Sequence, residues 1–190
     1  MELMSKNERR QARVLALQVF FCFEQEKFSR DIRSVFDDVI TFGDVDEEQK
    51  NEKMQDENGE IKEIVKIPAD SPSDLDEKVK NYALEIAKTT AENLSEIDTK
   101  IDERTKTWGA FERINPIDRN LLRIAIAEMG EKLAIPPKVV INEAVEIAKM
   151  FGTDDSAKFV NAVLDKIKGD NPQWDNPKPE EKKKEKKNRK

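Results

Sequence analysis

Four cations crowd the start of this chain: Lys6, Arg9, Arg10 and Arg13, opposed there only by Glu8. A guanidinium is a permanently charged planar fork that grips phosphate or carboxylate oxygens two at a time, so the chemistry on offer is anion binding. The arginines open a helical pattern. Ala12, Leu15, Ala16, Val19, Phe20 and Phe23 recur at three- and four-residue spacing and form one apolar face. The helix dipole disfavours cations at that end by up to about 1 kcal/mol. Arginines held there against the dipole point to a contact with phosphate. A solvated basic face is the plainer explanation of the same residues, and the spacing alone leaves both open.

Other chemistries find few residues to carry them. The chain has no histidine, which removes the imidazole acid–base systems and histidine-ligated metals. Cys22 is its single cysteine, so no internal disulfide and no multi-cysteine zinc site can form. Glu143 with Glu146, and Asp154 with Asp155, are the candidate carboxylate pairs. Adjacent acids ahead of a helix serve as caps and dipole partners, which accounts for Asp154 and Asp155 without catalysis. The expectation is a binding protein with no cofactor and no metal, not an enzyme. No apolar run approaches the roughly 18 residues of a membrane span, and the first residues are polar, so neither a membrane helix nor a secretion signal is expected, and a cytoplasmic location is.

The elements that must hold these residues are helices. Of 190 residues, 37% are hydrophobic, enough for a core, while 39% are charged, more than one folded domain needs on its surface. The charge is uneven. Residues 43–70 hold ten Asp/Glu against four Lys, and residues 178–190 hold eight Lys/Arg against three Glu. The acidic stretch loses helical periodicity and reads as a flexible insertion with a weak strand-like patch at Ile61, Ile64, Val65 and Ile67. The basic stretch reads as a disordered tail beginning after residue 168.

Between these segments the spacing predicts about seven helices and no convincing strand. A short helix fits 31–42. Ser73 and Asp76 form a capping-box pattern ahead of a helix with Leu75, Val79, Tyr82, Ala83, Ile86 and Ala87, and a break falls near residues 93–95. Trp108, Phe111 and Ile114, beside Gly109, are expected to plug the core. Asn115-Pro116-Ile117-Asp118 places a cap, a proline at the first helical position and an acid in the first turn. Pro136-Pro137 opens the next helix, Gly152 closes it, and Asp154 or Asp155 caps a last helix with Phe159, Val160, Val163, Leu164 and Ile167. Asn142 reads as a buried amide satisfying a loop backbone, with a polar contact at a binding surface as the alternative.

The last two helices carry an ordered signature. Ile141-Asn142-Glu143-Ala144-Val145-Glu146-Ile147-Ala148-Lys149 runs through Phe151-Gly152-Thr153-Asp154-Asp155-Ser156 into Lys158-Phe159-Val160-Asn161-Ala162-Val163-Leu164-Asp165. This resembles the C-terminal signature of the NusB family of transcription antitermination factors. Asp118-Arg119-Asn120-Leu121-Leu122-Arg123 with Glu128 looks like the preceding helix of that family. Arg9-Arg10-Gln11-Ala12-Arg13, with Gln18 and Phe21, looks like its arginine-rich first helix. The likeness covers about 1–42 and 73–168, and places 43–70 and 169–190 outside the family pattern.

The resemblance implies an all-α fold of two packed helical halves, with residues 1–168 as one RNA-binding domain. It implies binding of a single-stranded boxA-like RNA together with the ribosomal protein NusE, within the antitermination complex of RNA polymerase, in support of ribosomal RNA transcription. The RNA-binding residues it implies are Arg9, Arg10, Arg13, Gln18, Lys158 and Asn161. The partner-binding residues it implies are Phe21 and Phe159 as apolar anchors and Glu128 as a charged contact at the rim. Monomer and homodimer stay open, and a helical scaffolding protein without an RNA role is the alternative reading.

Overall fold

A computed structural model describes residues 4–42 and 72–175. Ser5 starts the first helix, α1 (Lys6–Gln25). Its hydroxyl accepts from the Glu8 N–H at 3.2 Å, and the Glu8 carboxylate accepts from the Ser5 N–H at 2.6 Å. That reciprocal box lies just upstream of the apolar periodicity, so the helix begins earlier than the stripe alone indicates. Lys78 adds a salt bridge to Glu8 at 2.8 Å, and its hydrogen bond is the main reason the half-buried Glu8 carboxyl is held down to about 2.

Six further α-helices follow: α2 (Ile32–Phe42), α3 (Glu77–Glu92), α4 (Leu94–Thr105), α5 (Pro116–Met129), α6 (Pro137–Phe151) and α7 (Ser156–Asp170). No strand occurs among the described residues. The acidic segment 43–70, its strand-like patch and the basic stretch 178–190 lie outside those residues.

Several ends differ from the sequence reading. Pro72–Asp74 forms a 3-10 turn, and Asp76, not Ser73, caps α3 by accepting from the Lys78 N–H at 2.9 Å. Asp155 sits at the cap position of α7 but makes no capping hydrogen bond. The chain also stays folded past residue 168. After α7 comes a turn at Pro172–Asp175, and Trp174 is buried against the core at 8% exposure. An apolar indole recovers burial energy wherever it finds a wall, and the residue-168 boundary ignored it. The Asn115 cap and Pro116 stand as expected, with Asn115 accepting from the Ile117 N–H at 2.9 Å.

Helix α5 organises the packing. From Asn120 to Met129 every residue is buried, because α5 is covered on all sides. The helices α1, α2 and α3 pack on one another, and α4, α6 and α7 pack around α5, which also lies against α1 and α3. This gives two helical halves joined along one central helix. A helix enclosed on every side has no solvated face, so its polar residues must find partners inside the protein.

Candidate nucleic-acid interface

The three arginines of α1 have three different fates. Arg9 is exposed and has no ion-pair partner among the described residues. Arg10 is half-buried and grips Glu143 of α6, Nε donating at 2.8 Å and Nη2 at 3.2 Å, while Lys6 lies 3.4 Å from the same carboxylate. Arg13 is 3% exposed. It donates from Nε and Nη2 to Glu128 of α5 at 2.8 and 2.9 Å, and the Tyr82 hydroxyl donates to Glu128 Oε1 at 2.7 Å.

Two expected roles are corrected by this burial. Arg13 is not available to a phosphate, and Glu128, 1% exposed, is not at any rim. Helical geometry supplies the reason. Arg13 stands four residues before Leu17 and seven before Phe20, on the face turned to the core. Glu128 lies on the enclosed helix α5. Burial works against the Arg13 charge, but the charge and hydrogen bonds of Glu128 outweigh it and raise its pKa. Burial and Glu128 together push the Tyr82 phenol up.

A second buried network had no role in the sequence reading. Glu24 of α1 accepts from Arg119 Nε at 2.8 Å, Asn120 Nδ2 at 2.9 Å and Arg123 Nη1 at 2.6 Å. Arg123 also forks onto Asp98 of α4 at 2.7 and 2.8 Å. Burial alone pushes the Glu24 carboxyl up, and the hydrogen bonds and charges of Arg119 and Arg123 overturn that and hold it down. Part of the signal was present in the sequence: Arg123 interrupts the otherwise apolar stretch from Leu121 to Ala127.

At the other end, the turn from α6 to α7 presents the remaining candidates. Ser156 is the organising residue. Its hydroxyl accepts from the Thr153 N–H at 2.8 Å and donates to Asp118 Oδ2 of α5 at 2.8 Å. Gly152 is required here, because a Cβ would lie 2.4 Å from Ser156 Oγ and 2.7 Å from the Ala148 carbonyl oxygen. Asp118 is 5% exposed, and burial pushes its carboxyl up against the Ser156 hydrogen bond.

From this turn Lys158 projects into solvent, with no ion-pair partner among the described residues. Asn161 is exposed and donates to Asp165 at 2.9 Å. Gln18 and Phe21 are half-buried on α1, and Phe159 is half-buried on α7. Asn142, expected inside, is exposed, while its neighbour Glu143 is buried. Trp108, expected as a core plug, is 51% exposed. Phe111 and Ile114 do pack against the core. The structure does not gather the six expected RNA residues into one cluster. Arg9, Arg10 and Gln18 ride on α1, Lys158 and Asn161 on α7, and those helices pack on α5 with little direct contact of their own. No group of His, Cys, Asp or Glu that could hold a metal occurs among the described residues, and no described helix is long and apolar enough to cross a membrane.

A family model described as the NusB family matches residues 44–168. The chain belongs to the NusB family. The match takes in α3 to α7 and begins inside the acidic segment, which the sequence reading had set outside the family pattern, while α1 lies before it. The transcription antitermination protein NusB of Chloroherpeton thalassium is 38% identical over 157 residues, 83% of this chain and 59% of that protein. The protein of the same name from Desulforapulum autotrophicum is 33% identical over 162 residues, 85% of this chain and 91% of its own length. Among solved structures, T. maritima NusB superposes with a TM-score of 0.60 at 29% identity, covering 88% of this chain and 92% of that one. A chain in the crystal structure of a plectonemic RNA supercoil superposes with a TM-score of 0.63, covering 87% of this chain and 96% of its own, and at 21% identity shows the all-α fold alone.

Proposed function

We propose that this protein binds single-stranded, boxA-like RNA together with the ribosomal protein NusE and acts in transcription antitermination of ribosomal RNA operons. The observation that carries the reading is Arg9. It stands exposed at the basic end of α1 with no ion-pair partner among the described residues, while Arg10 and Arg13 on the same helix are tied to carboxylates. Lys158, exposed at the start of α7 and without an ion-pair partner among the described residues, extends the cationic set. Cations that neutralise no internal charge are the ones free to release counterions from a phosphate chain. Gln18 and Asn161 serve as polar contacts to unstacked bases, with Asn161 exchanging its Asp165 hydrogen bond for one to RNA. Phe21 and Phe159 anchor the partner protein or its junction with RNA. Glu128 leaves the partner set and joins the interior. No bond is made or broken, and no cofactor takes part.

The test is fluorescence anisotropy of a labelled boxA-like RNA and a scrambled one of equal length, each titrated with the chain alone and with NusE present. The expected result is binding of the boxA-like strand that NusE tightens, with weaker binding of the scrambled strand. Equal and NusE-independent behaviour of both strands would favour a helical scaffold without an RNA role.

A further inference from the structure

Trp108 closes the 3-10 turn at Lys106–Trp108, after α4. The next residue, Gly109, has φ +127°, a backbone conformation that side-chain-bearing residues rarely adopt, and the chain turns there. The result is an indole half in solvent, while Trp174 is buried. Phe159 of α7 meets Trp108 edge to face, with ring centroids 5.4 Å apart and planes at 66°. The Lys166 ammonium lies 4.2 Å from the centroid of the Trp108 ring. Lys158, next to Phe159, is exposed and unpaired among the described residues.

We infer that Trp108 is a stacking platform for one unpaired RNA base, with Lys166 and Lys158 supplying cations to the phosphates beside it. The inference rests on the RNA-binding reading above and extends it to the turn after α4 and to α7, outside the arginine-rich helix. A large aromatic ring left in water is costly unless something covers it, and every base has a flat face that suits it. Phe159 packs against the indole in a tilted, edge-to-face contact that braces it. Lys166 caps the ring with a solvent-exposed cation–π contact, which is weak enough for a base to replace. The displaced ammonium then stays beside the strand, where a phosphate is its natural partner. Asp154 and Asp155 are also exposed at the preceding turn, so the phosphate contacts fall to Lys158 and Lys166 on the helix itself. A protein partner would gain from the exposed indole but would not need around it two lysines that lack ion-pair partners among the described residues.

The experiment uses the full chain with the boxA-like RNA and the scrambled strand as probes. Tryptophan emission is recorded during titration, and anisotropy is measured for Trp108→Ala, Trp108→Phe and Lys166→Gln. Emission should be quenched on RNA addition, since the buried Trp174 is shielded from a stacked base. Trp108→Ala should weaken binding about tenfold, within the range for loss of one base–aromatic stack, with the salt slope unchanged. Trp108→Phe should recover most of that loss. Lys166→Gln should instead flatten the log–log salt slope by about 0.7. Unquenched emission, or Trp108→Ala binding as tightly as the parent chain, would overturn the platform and leave the arginine-helix reading standing. Absence of RNA binding by the parent chain would overturn both.

Discussion

Arg13 and Glu128 face each other across α1 and α5 as a buried, doubly hydrogen-bonded ion pair, completed by the Tyr82 hydroxyl. A pair of this kind holds the two halves in register without adding much net stability, because desolvation offsets its Coulomb energy. Removing one member is a different matter, because the other charge is left buried and alone. Arg13→Gln should therefore destabilise the protein by about 3–5 kcal/mol. Replacing the trio together, as Arg13→Met, Glu128→Leu and Tyr82→Phe, should recover most of the loss. Urea melts of the single and triple variants compare the two, and a single variant that melts like the parent would contradict the burial argument.

The Ser156 turn makes a prediction with a sign. Asp118→Asn keeps an acceptor for the Ser156 hydroxyl and removes a buried charge, so its Tm at neutral pH should match or exceed that of the parent. Asp118→Ala leaves the Ser156 hydroxyl without that acceptor and should cost about 1–3 kcal/mol. Gly152→Ala should also destabilise, because its methyl group would overlap Ser156. Differential scanning fluorimetry ranks the three, and an Asp118→Asn protein less stable than Asp118→Ala would reverse the reading.

Acid should unfold the protein through Glu24 and Glu143. Burial alone pushes each carboxyl up, but hydrogen bonds from Arg119 and Arg123 in one case, and from Arg10 in the other, hold both below their ordinary value of 4.5. Their contribution is complete above pH 4.5 and is lost as pH falls through the lower folded values. Asp118 has the opposite sign: its raised pKa penalises the fold at neutral pH, and that penalty fades on acidification. Tm should therefore fall below about pH 4.5, and more steeply in Asp118→Asn, which lacks the compensating term. A Tm that stays level well below that pH would show that neither ion pair is coupled to folding.

Trp174 carries the folded core beyond residue 168. Truncation after Gly169 removes a buried indole and should cost about 3–5 kcal/mol, comparable to deleting a core tryptophan. Truncation after Asp175 should leave thermal unfolding unchanged. Circular dichroism melts of the two truncated chains decide between this boundary and one at residue 168.

The helices were legible because their signals are local. Asn115-Pro116 at the start of α5, Gly152 at the end of α6 and the apolar stripes of Val140 to Ala148 and Val160 to Ile167 depend on residues within one turn or two. The polar interior was not legible for the opposite reason. Arg13 looks like any basic residue until α5 brings Glu128 beside it, 115 positions away in sequence. Glu24 waits on Arg123, 99 positions away. A charge count along the chain cannot tell a phosphate-binding arginine from one already spent on a buried carboxylate. Trp108 failed differently: apolar character predicted burial, while the indole, beside the Gly109 turn, is left half in solvent.

The most direct test of the central claim is the salt dependence of boxA-like RNA binding in the parent chain, Arg9→Gln and Arg10→Gln. Arg9, Lys158 and Lys166, which have no ion-pair partner among the described residues, give an expected log–log slope near −2, since each phosphate on a single strand contributes about −0.7. Arg9→Gln should flatten the slope by about 0.7 with the Tm unchanged. Arg10→Gln should lower the Tm, because Glu143 loses its doubly hydrogen-bonded partner and keeps only the longer Lys6 contact, with a smaller effect on the slope. A parent slope near zero, or an Arg9→Gln chain that binds RNA with the parent's affinity and slope, would contradict the assignment of α1 to RNA.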